Sequence, residues 1–202
     1  MTINSEQILD SILDSLDRID YIKPQDIPDI QLYMDQVTTF MDTHLASTRR
    51  YPKDKILTKT MINNYAKNNL LPPPEKKKYS KEHMLLMIFI YYFKSFLSIT
   101  DIQALMAPLT DKYFQKDDGF NLESVYNEVF RMEKKQIECM KESVRDIYRT
   151  SCETFLDAPE DERDFLQRFS FICLLSFDVY LKKQMIEQLI DQLPEMEPKK
   201  KK

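Results

Sequence analysis

A mainly α-helical fold is predicted for this chain by three observations. Apolar residues recur at helical spacing through most of its length, from Ile8, Leu9, Ile12 and Leu13 to the run between Phe165 and Leu181. Gly119 is the single glycine among 202 residues, whereas an all-β fold with many tight turns draws on glycine repeatedly. Prolines at positions such as 24, 28, 72–74, 108, 159 and 194 punctuate the periodic stretches and mark helix ends and connectors. An apolar content of 43% is enough for a core, in one domain or two small ones.

Taken in order, Ser5 to Ile19 reads as an amphipathic acidic helix with Ser5 as its cap, and 21–28 as a connector. Asp29 is expected to cap a second helix through about Leu45, with Leu32, Tyr33, Val37, Phe40 and Met41 as its buried stripe. Residues 46–55, with Arg49, Arg50 and Pro52, form a basic loop. Thr58 then caps a helix from Lys59 to Lys67, because its hydroxyl accepts one of the orphan first-turn amides. Lys59, Thr60, Asn63, Asn64 and Lys67 fall on one arc of about 140°, with Met61, Ile62, Tyr65 and Ala66 opposite. Asn68 and Asn69 end that helix, since Asn enters the left-handed conformation more readily than other non-glycine residues. Leu70 and Leu71 return to the core, Pro72 to Pro74 forbid both helix and central strand, and Glu75 to Lys78 make a short charged loop.

Ser80 caps a strongly apolar helix from Lys81 to about Phe96, whose Met84, Leu85, Ile88, Phe89, Tyr92 and Phe93 belong at the centre of the core. Ser98 and Asp101 have capping-box spacing and start a short helix through Met106, with Pro108 just beyond its end. The break at 110–120, with Asp117, Asp118 and Gly119, is the candidate domain boundary. Residues 121 to about 155 form the longest uninterrupted helical pattern, and 157–163 restart the chain into a helix from Asp164 to Leu193. That last helix is apolar nearly all round, which calls for burial by more than one neighbour, in the first half or in a second subunit. Pro194 ends the structure, and 195–202 is expected to be a disordered basic tail.

The net charge of −4 conceals an asymmetry. Two basic residues face nine acidic ones over 1–48, ten face three over 49–83, and thirteen face twenty-one over 84–198; four lysines follow. Basic charge is thus concentrated around the Thr58–Lys78 stretch, as expected of a surface that meets phosphates. A lone glycine excludes Gly-rich nucleotide loops. Cys139, Cys152 and Cys173 are odd in number and lack CxxC spacing, so neither a zinc knuckle nor a disulfide framework is indicated and a reducing cytoplasmic setting is expected. The start of the chain lacks a basic, apolar leader, and the longest apolar run, Met84 to Phe93, is half a bilayer span, so a soluble protein with no membrane association is expected.

A polar helix face followed by a basic loop matches the needs of major-groove reading with flanking phosphate contact. Thr60, Asn63 and Asn64 are candidates for base edges, and Lys59, Lys67, Lys76, Lys77 and Lys78 for phosphates, with Thr58 at the helix start completing the set. An ordinary solvated helix face beside a lysine-rich loop accounts for the same pattern. His44 and His83 have no ligand-spaced partners and read as surface or capping residues, and the acids at 117, 118, 161 and 164 as loop solvation. No nucleophile has a base signature, so no enzyme, cofactor or metal is expected.

The run from Thr58 to Tyr65, then Asn69-Leu70-Leu71-Pro72-Pro73-Pro74, Tyr79-Ser80-Lys81-Glu82 and Ser98-Ile99-Thr100-Asp101-Ile102, resembles the MerR-type winged helix-turn-helix. With Asp29 to Val37 added, the chain is more closely similar to a bacterial family known as domain of unknown function 1836, over about Pro28 to Leu109. The resemblance implies a DNA-binding fold with a reading helix and a basic wing, but no established activity. Two departures stand out: about a dozen residues separate Leu45 from Thr58, where MerR proteins have a short turn, and Glu75-Lys76-Lys77-Lys78-Tyr79 replaces the usual Gly-Tyr-Arg of the wing.

The expected organisation is an N-terminal amphipathic helix and connector (1–27), a MerR-like winged helix-turn-helix (28–109), a helical C-terminal region that is a candidate for dimerisation (110–194), and the tail (195–202). The leading expectation is a DNA-binding transcriptional regulator, acting on double-stranded DNA as a homodimer, with its small-molecule effector unknown. The alternative is a non-catalytic protein-interaction module on the same scaffold.

Overall fold

The computed structural model describes residues 5–16, 21–116 and 119–194. The chain runs through α1 (Ser5–Leu16), β1 (Leu32–Tyr33), α2 (Met34–His44), α3 (Lys59–Lys67), β2 (Lys78–Tyr79), α4 (Lys81–Phe93), α5 (Ile99–Tyr113), α6 (Leu122–Phe130), α7 (Glu133–Cys152) and α8 (Glu160–Asp191). Single 3-10 turns lie at Pro24–Asp26 and Ala46–Thr48. The expected tail, the pair Asp117 and Asp118, and the end of the first predicted helix at Ile19 lie outside the described residues. Mainly helical, the chain divides into two compact units: residues 21–130 with the last turns of α8, and α1 with residues 131–186.

The first unit is built around α4. Every residue from His83 to Ile90 is buried, so this helix is enclosed on all sides, as its unbroken apolar sequence requires. Val37 and Met41 of α2, Ile62 and Tyr65 of α3, Ile102 and Met106 of α5, and Leu122 and Tyr126 of α6 complete the core. Each such side chain contributes about 1.5–3 kcal/mol by leaving water. Tyr126 also donates a hydrogen bond from its hydroxyl to the carbonyl of Ile22 at 2.7 Å, tying the connector down. Around it Tyr21, Phe89 and Phe130 stack and tilt at centroid distances of 4.4–6.3 Å.

A two-stranded antiparallel sheet joins distant parts of this unit, pairing Leu32 with Tyr79 and Tyr33 with Lys78. Side chains alternate across a strand. Leu32 and Tyr79 therefore face the core, while Tyr33 and Lys78 face outward with the Lys78 ammonium 5.2 Å from the Tyr33 ring.

Several expectations are corrected. The second helix starts at Met34 and not after Asp29, because Leu32 and Tyr33 are taken into the sheet; Tyr33 becomes the N-cap, its backbone N–H donating to Gln36 Oε1 at 2.8 Å. Tyr33 is accordingly 52% exposed and leaves the buried stripe. The fifth helix does not stop before Pro108 but continues to Tyr113. Proline removes the hydrogen bond to the carbonyl four residues earlier, but the Thr110 hydroxyl donates to the Met106 carbonyl at 2.8 Å and supports the turn that follows.

The long pattern over 121–155 breaks at Arg131 and Met132 into α6 and α7. Leu122 and Tyr126 must face α4, whereas α7 belongs to the other unit. α5 runs into the expected break at 110–120 as far as Tyr113, α6 begins at Leu122, and the two units divide after Phe130. In α8, which was expected to be enclosed, Ile190 is the one buried residue, with Phe165 69% and Phe177 63% exposed. A helix of 32 residues spans about 48 Å, whereas α1 and α7, with 12 and 20 residues, span about 18 and 30 Å, so neither alone runs along its whole length.

Candidate nucleic-acid interface

Helix α3 begins and ends where its sequence dictates. The Thr58 hydroxyl accepts from the Met61 N–H at 3.2 Å, and Asn69 takes the left-handed conformation at φ 54°. Between these ends Ile62 and Tyr65 are buried, and burial pushes the Tyr65 hydroxyl above its ordinary pKa. Lys59, Thr60, Asn63, Asn64 and Lys67 are all exposed on the opposite side. Asn68 donates from both its backbone N–H and its side-chain amide to the Asn64 carbonyl, at 3.0 and 2.8 Å, closing the last turn. Upstream, the Lys94 ammonium donates to the Ile56 carbonyl at 2.7 Å, holding the segment that enters α3; burial lowers the pKa of this lysine.

The expected charged loop is a hairpin turn. Lys78 N–H donates to the Glu75 carbonyl at 2.8 Å, and these two residues form an antiparallel bridge. Between them Lys76 and Lys77 have φ of 48° and 65°. Positive φ at both central residues is the signature of the type I′ turn that Asn-Gly favours. Two side chains with a Cβ occupy it here, at a cost of about 1–2 kcal/mol each. Both lysines are exposed at the tip, and Lys78 leads into β2.

His83 fixes the base of this turn. Its Nδ1 accepts the Ser80 backbone N–H at 3.1 Å, and its ring meets Phe114 and Tyr79 edge-on at centroid distances of 4.9 and 5.6 Å. Accepting at Nδ1 places the neutral ring's proton on Nε2. Burial lowers the His83 pKa to about 4, although the Pro73 and Pro72 carbonyls beside it favour the charged form; Nε2 makes no hydrogen bond of ordinary geometry to them. One imidazole therefore touches the proline arm, the strand and the start of α4.

The candidate residues form two groups that meet at the N-terminus of α2. Thr58, Lys59 and Thr60 line an open groove of about 420 Å³ with Thr38, Thr39 and Asp42 of α2 and Lys55. Lys59 forms an ion pair with Asp35, two residues after the Tyr33 ring on which Lys78 rests. Asn63, Asn64 and Lys67 continue along α3 away from this junction. Lys81, which also lies in the basic block, is engaged elsewhere: burial opposes its charge, but Glu123 at 3.0 Å and Asp29 at 3.4 Å outweigh it and raise its pKa.

Among the residues that position α3 and the turn, sequence reasoning did not name Lys94, placed Tyr33 in the buried stripe, and read His83 as a surface or capping residue; His83 does cap α4 with Ser80, but it is buried. A lysine directly after an apolar helix is a signal for Lys94, since a cation suits exposed helix-end carbonyls. Burial of His83 follows from its place one residue before Met84 in the enclosed helix. Among the described residues no group of His, Cys, Asp and Glu side chains is arranged to hold a metal ion, and no helix is long and apolar enough to cross a membrane. No curated protein and no solved structure matches the chain. Residues 22–129 match the domain of unknown function DUF1836, which spans the sheet, the basic turn and helices α2 to α5 and most of α6; the chain belongs to that family.

Proposed function

We propose that this chain is a non-catalytic DNA-binding protein, a transcriptional regulator, in which α3 reads the major groove and the Glu75–Lys78 turn acts as a wing on the flanking backbone, in the manner of a MerR-like winged helix-turn-helix. The observation that carries this reading is the division of α3: an entirely polar, exposed outer face, with one of its two lysines paired to Asp35, beside a core-facing Ile62 and Tyr65. Asn63 and Asn64 offer amides that pair with adenine at two points, and Thr60 suits either kind of base. Lys67, Lys76 and Lys77 supply charge for phosphates, Lys78 does so from β2, and Lys59 exchanges its carboxylate partner for a phosphate. Nine residues of helix span about 13 Å, the length of about four base pairs of groove.

The strained lysine turn supports the same reading, because a conformation that disfavours lysine is kept where charge at the tip is useful. The exposed apolar face of α8 suits pairing of two copies, and a two-fold DNA site requires reading helices about 34 Å apart or a multiple of that. Selection from a random duplex pool tests the reading. The wild-type chain should enrich a short consensus, and Asn63→Ala with Asn64→Ala should lose the consensus while keeping salt-dependent affinity. Failure to enrich any sequence would remove the regulator reading.

One observation favours the competing reading, a protein-interaction module: the Lys59 ammonium at the start of α3 already pairs with the carboxylate of Asp35. Recovery of a stoichiometric acidic protein partner with nuclease-treated protein would support it.

A further inference from the structure

In the unit built from α1, α7 and α8, the three helices line a partly open cavity of about 250 Å³, with the half-exposed Ile12 and Ile172 among its lining residues. Ile8, Leu9 and Ile12 of α1 face Phe171 and Leu175 of α8, with Tyr148 of α7 set edge-on to Phe171 at a centroid distance of 5.4 Å. Apolar pockets between the helices of a bundle are common ligand sites.

The lining restricts what fits. Its one cation, Arg168, is held by Asp164 at 3.0 Å, so the wall offers no uncompensated charge. Gln167 donates from Nε2 to the carbonyls of Cys152 and Thr154 at 2.8 and 3.1 Å. Those two bonds use both amide hydrogens and fix the orientation of the group, which leaves Oε1 as an acceptor. An apolar cavity of about 150 Å³ admits one benzene ring, so the volume here corresponds to about ten non-hydrogen atoms.

We infer that this cavity binds a small uncharged bicyclic aromatic molecule that carries one N–H or O–H donor for Gln167. The site is separate from the α3 surface and holds whether or not the chain binds DNA.

Titration of the full chain, labelled at isoleucine δ1 methyls, with 1-naphthol and with indole tests it by NMR. Ile8, Ile12 and Ile172 should shift together and saturably, with a dissociation constant on the order of 0.1 mM, while Ile62 and Ile88 stay in place. Gln167→Leu should weaken binding several-fold. Ile12→Trp, at a half-exposed position that tolerates a larger side chain, should abolish it by filling the mouth, and Leu175→Trp should do the same from α8. Absence of saturable shifts up to probe solubility would overturn the inference. So would shifts unaffected by either tryptophan, or shifts that follow protein concentration without probe, which would assign the cavity to a second copy.

Discussion

His83 gives the account its sharpest pH dependence. Its pKa falls from the usual 6.5 to about 4 in the folded chain because burial penalises the cation. Above pH 6.5 both folded and unfolded states are neutral at this site and its contribution is complete. As pH falls from 6.5 towards 4 the unfolded state takes up a proton that the folded state refuses, and stability drops by up to about 3 kcal/mol. Urea denaturation at pH 7 and pH 4.5 should show that loss, and His83→Gln should show less of it by about 2 kcal/mol, separating this group from the carboxylates that also titrate. Lys76 and Lys77 make the other residue-scale prediction. Replacing them by Asn and Gly relieves the positive-φ strain, so the double variant should be more stable by about 1–2 kcal/mol in thermal or urea unfolding. DNA affinity should fall in the same protein; a variant that gains stability and keeps its affinity would show that the charges at the tip do nothing.

At the scale of elements, α3 was legible because both its ends are set by local chemistry. Thr58 has a hydroxyl to cap three donors away, and Asn69 is a residue that accepts φ 54°. Thr58→Ala should cost about 1 kcal/mol and Ile62→Ala about 2–5 kcal/mol, measured by urea denaturation, since one loses a cap and the other leaves a cavity. The start of α2 was not legible, because a two-residue strand has no period to read, and Leu32 and Tyr33 fit a helical stripe equally well. Pro108 misled for the opposite reason: a breaker rule was applied where the turn has its own support from Thr110. The lysine turn was hidden too, since its type is usually announced by glycine and here two lysines adopt it under the constraint of the Pro72–Pro74 arm and the pairing of β1 with β2.

At the scale of the whole molecule, the apolar sequence of α8 led to an expectation of burial that the single chain does not meet. Phe165, Phe169, Ile172, Phe177, Val179, Tyr180 and Leu181 remain exposed together. Surfaces of this kind on soluble chains mark contact sites. Sedimentation velocity should find a dimer at micromolar concentration, and Phe169→Asp with Val179→Asp should give a monomer whose helical circular dichroism is unchanged. A wild-type monomer at that concentration would remove pairing through α8.

The central claim is that the α3 face and the lysine turn bind double-stranded DNA. Fluorescence anisotropy with a duplex, repeated between 50 and 200 mM salt, tests it most directly. If Lys59, Lys67, Lys76, Lys77 and Lys78 all reach phosphate, log affinity should fall against log salt with a slope of about −4 to −5 per protomer, and Lys76→Glu with Lys77→Glu should reduce the slope by about 2 and weaken binding at every salt concentration. No measurable affinity at the lowest salt, or a slope and affinity untouched by the double substitution, would contradict it.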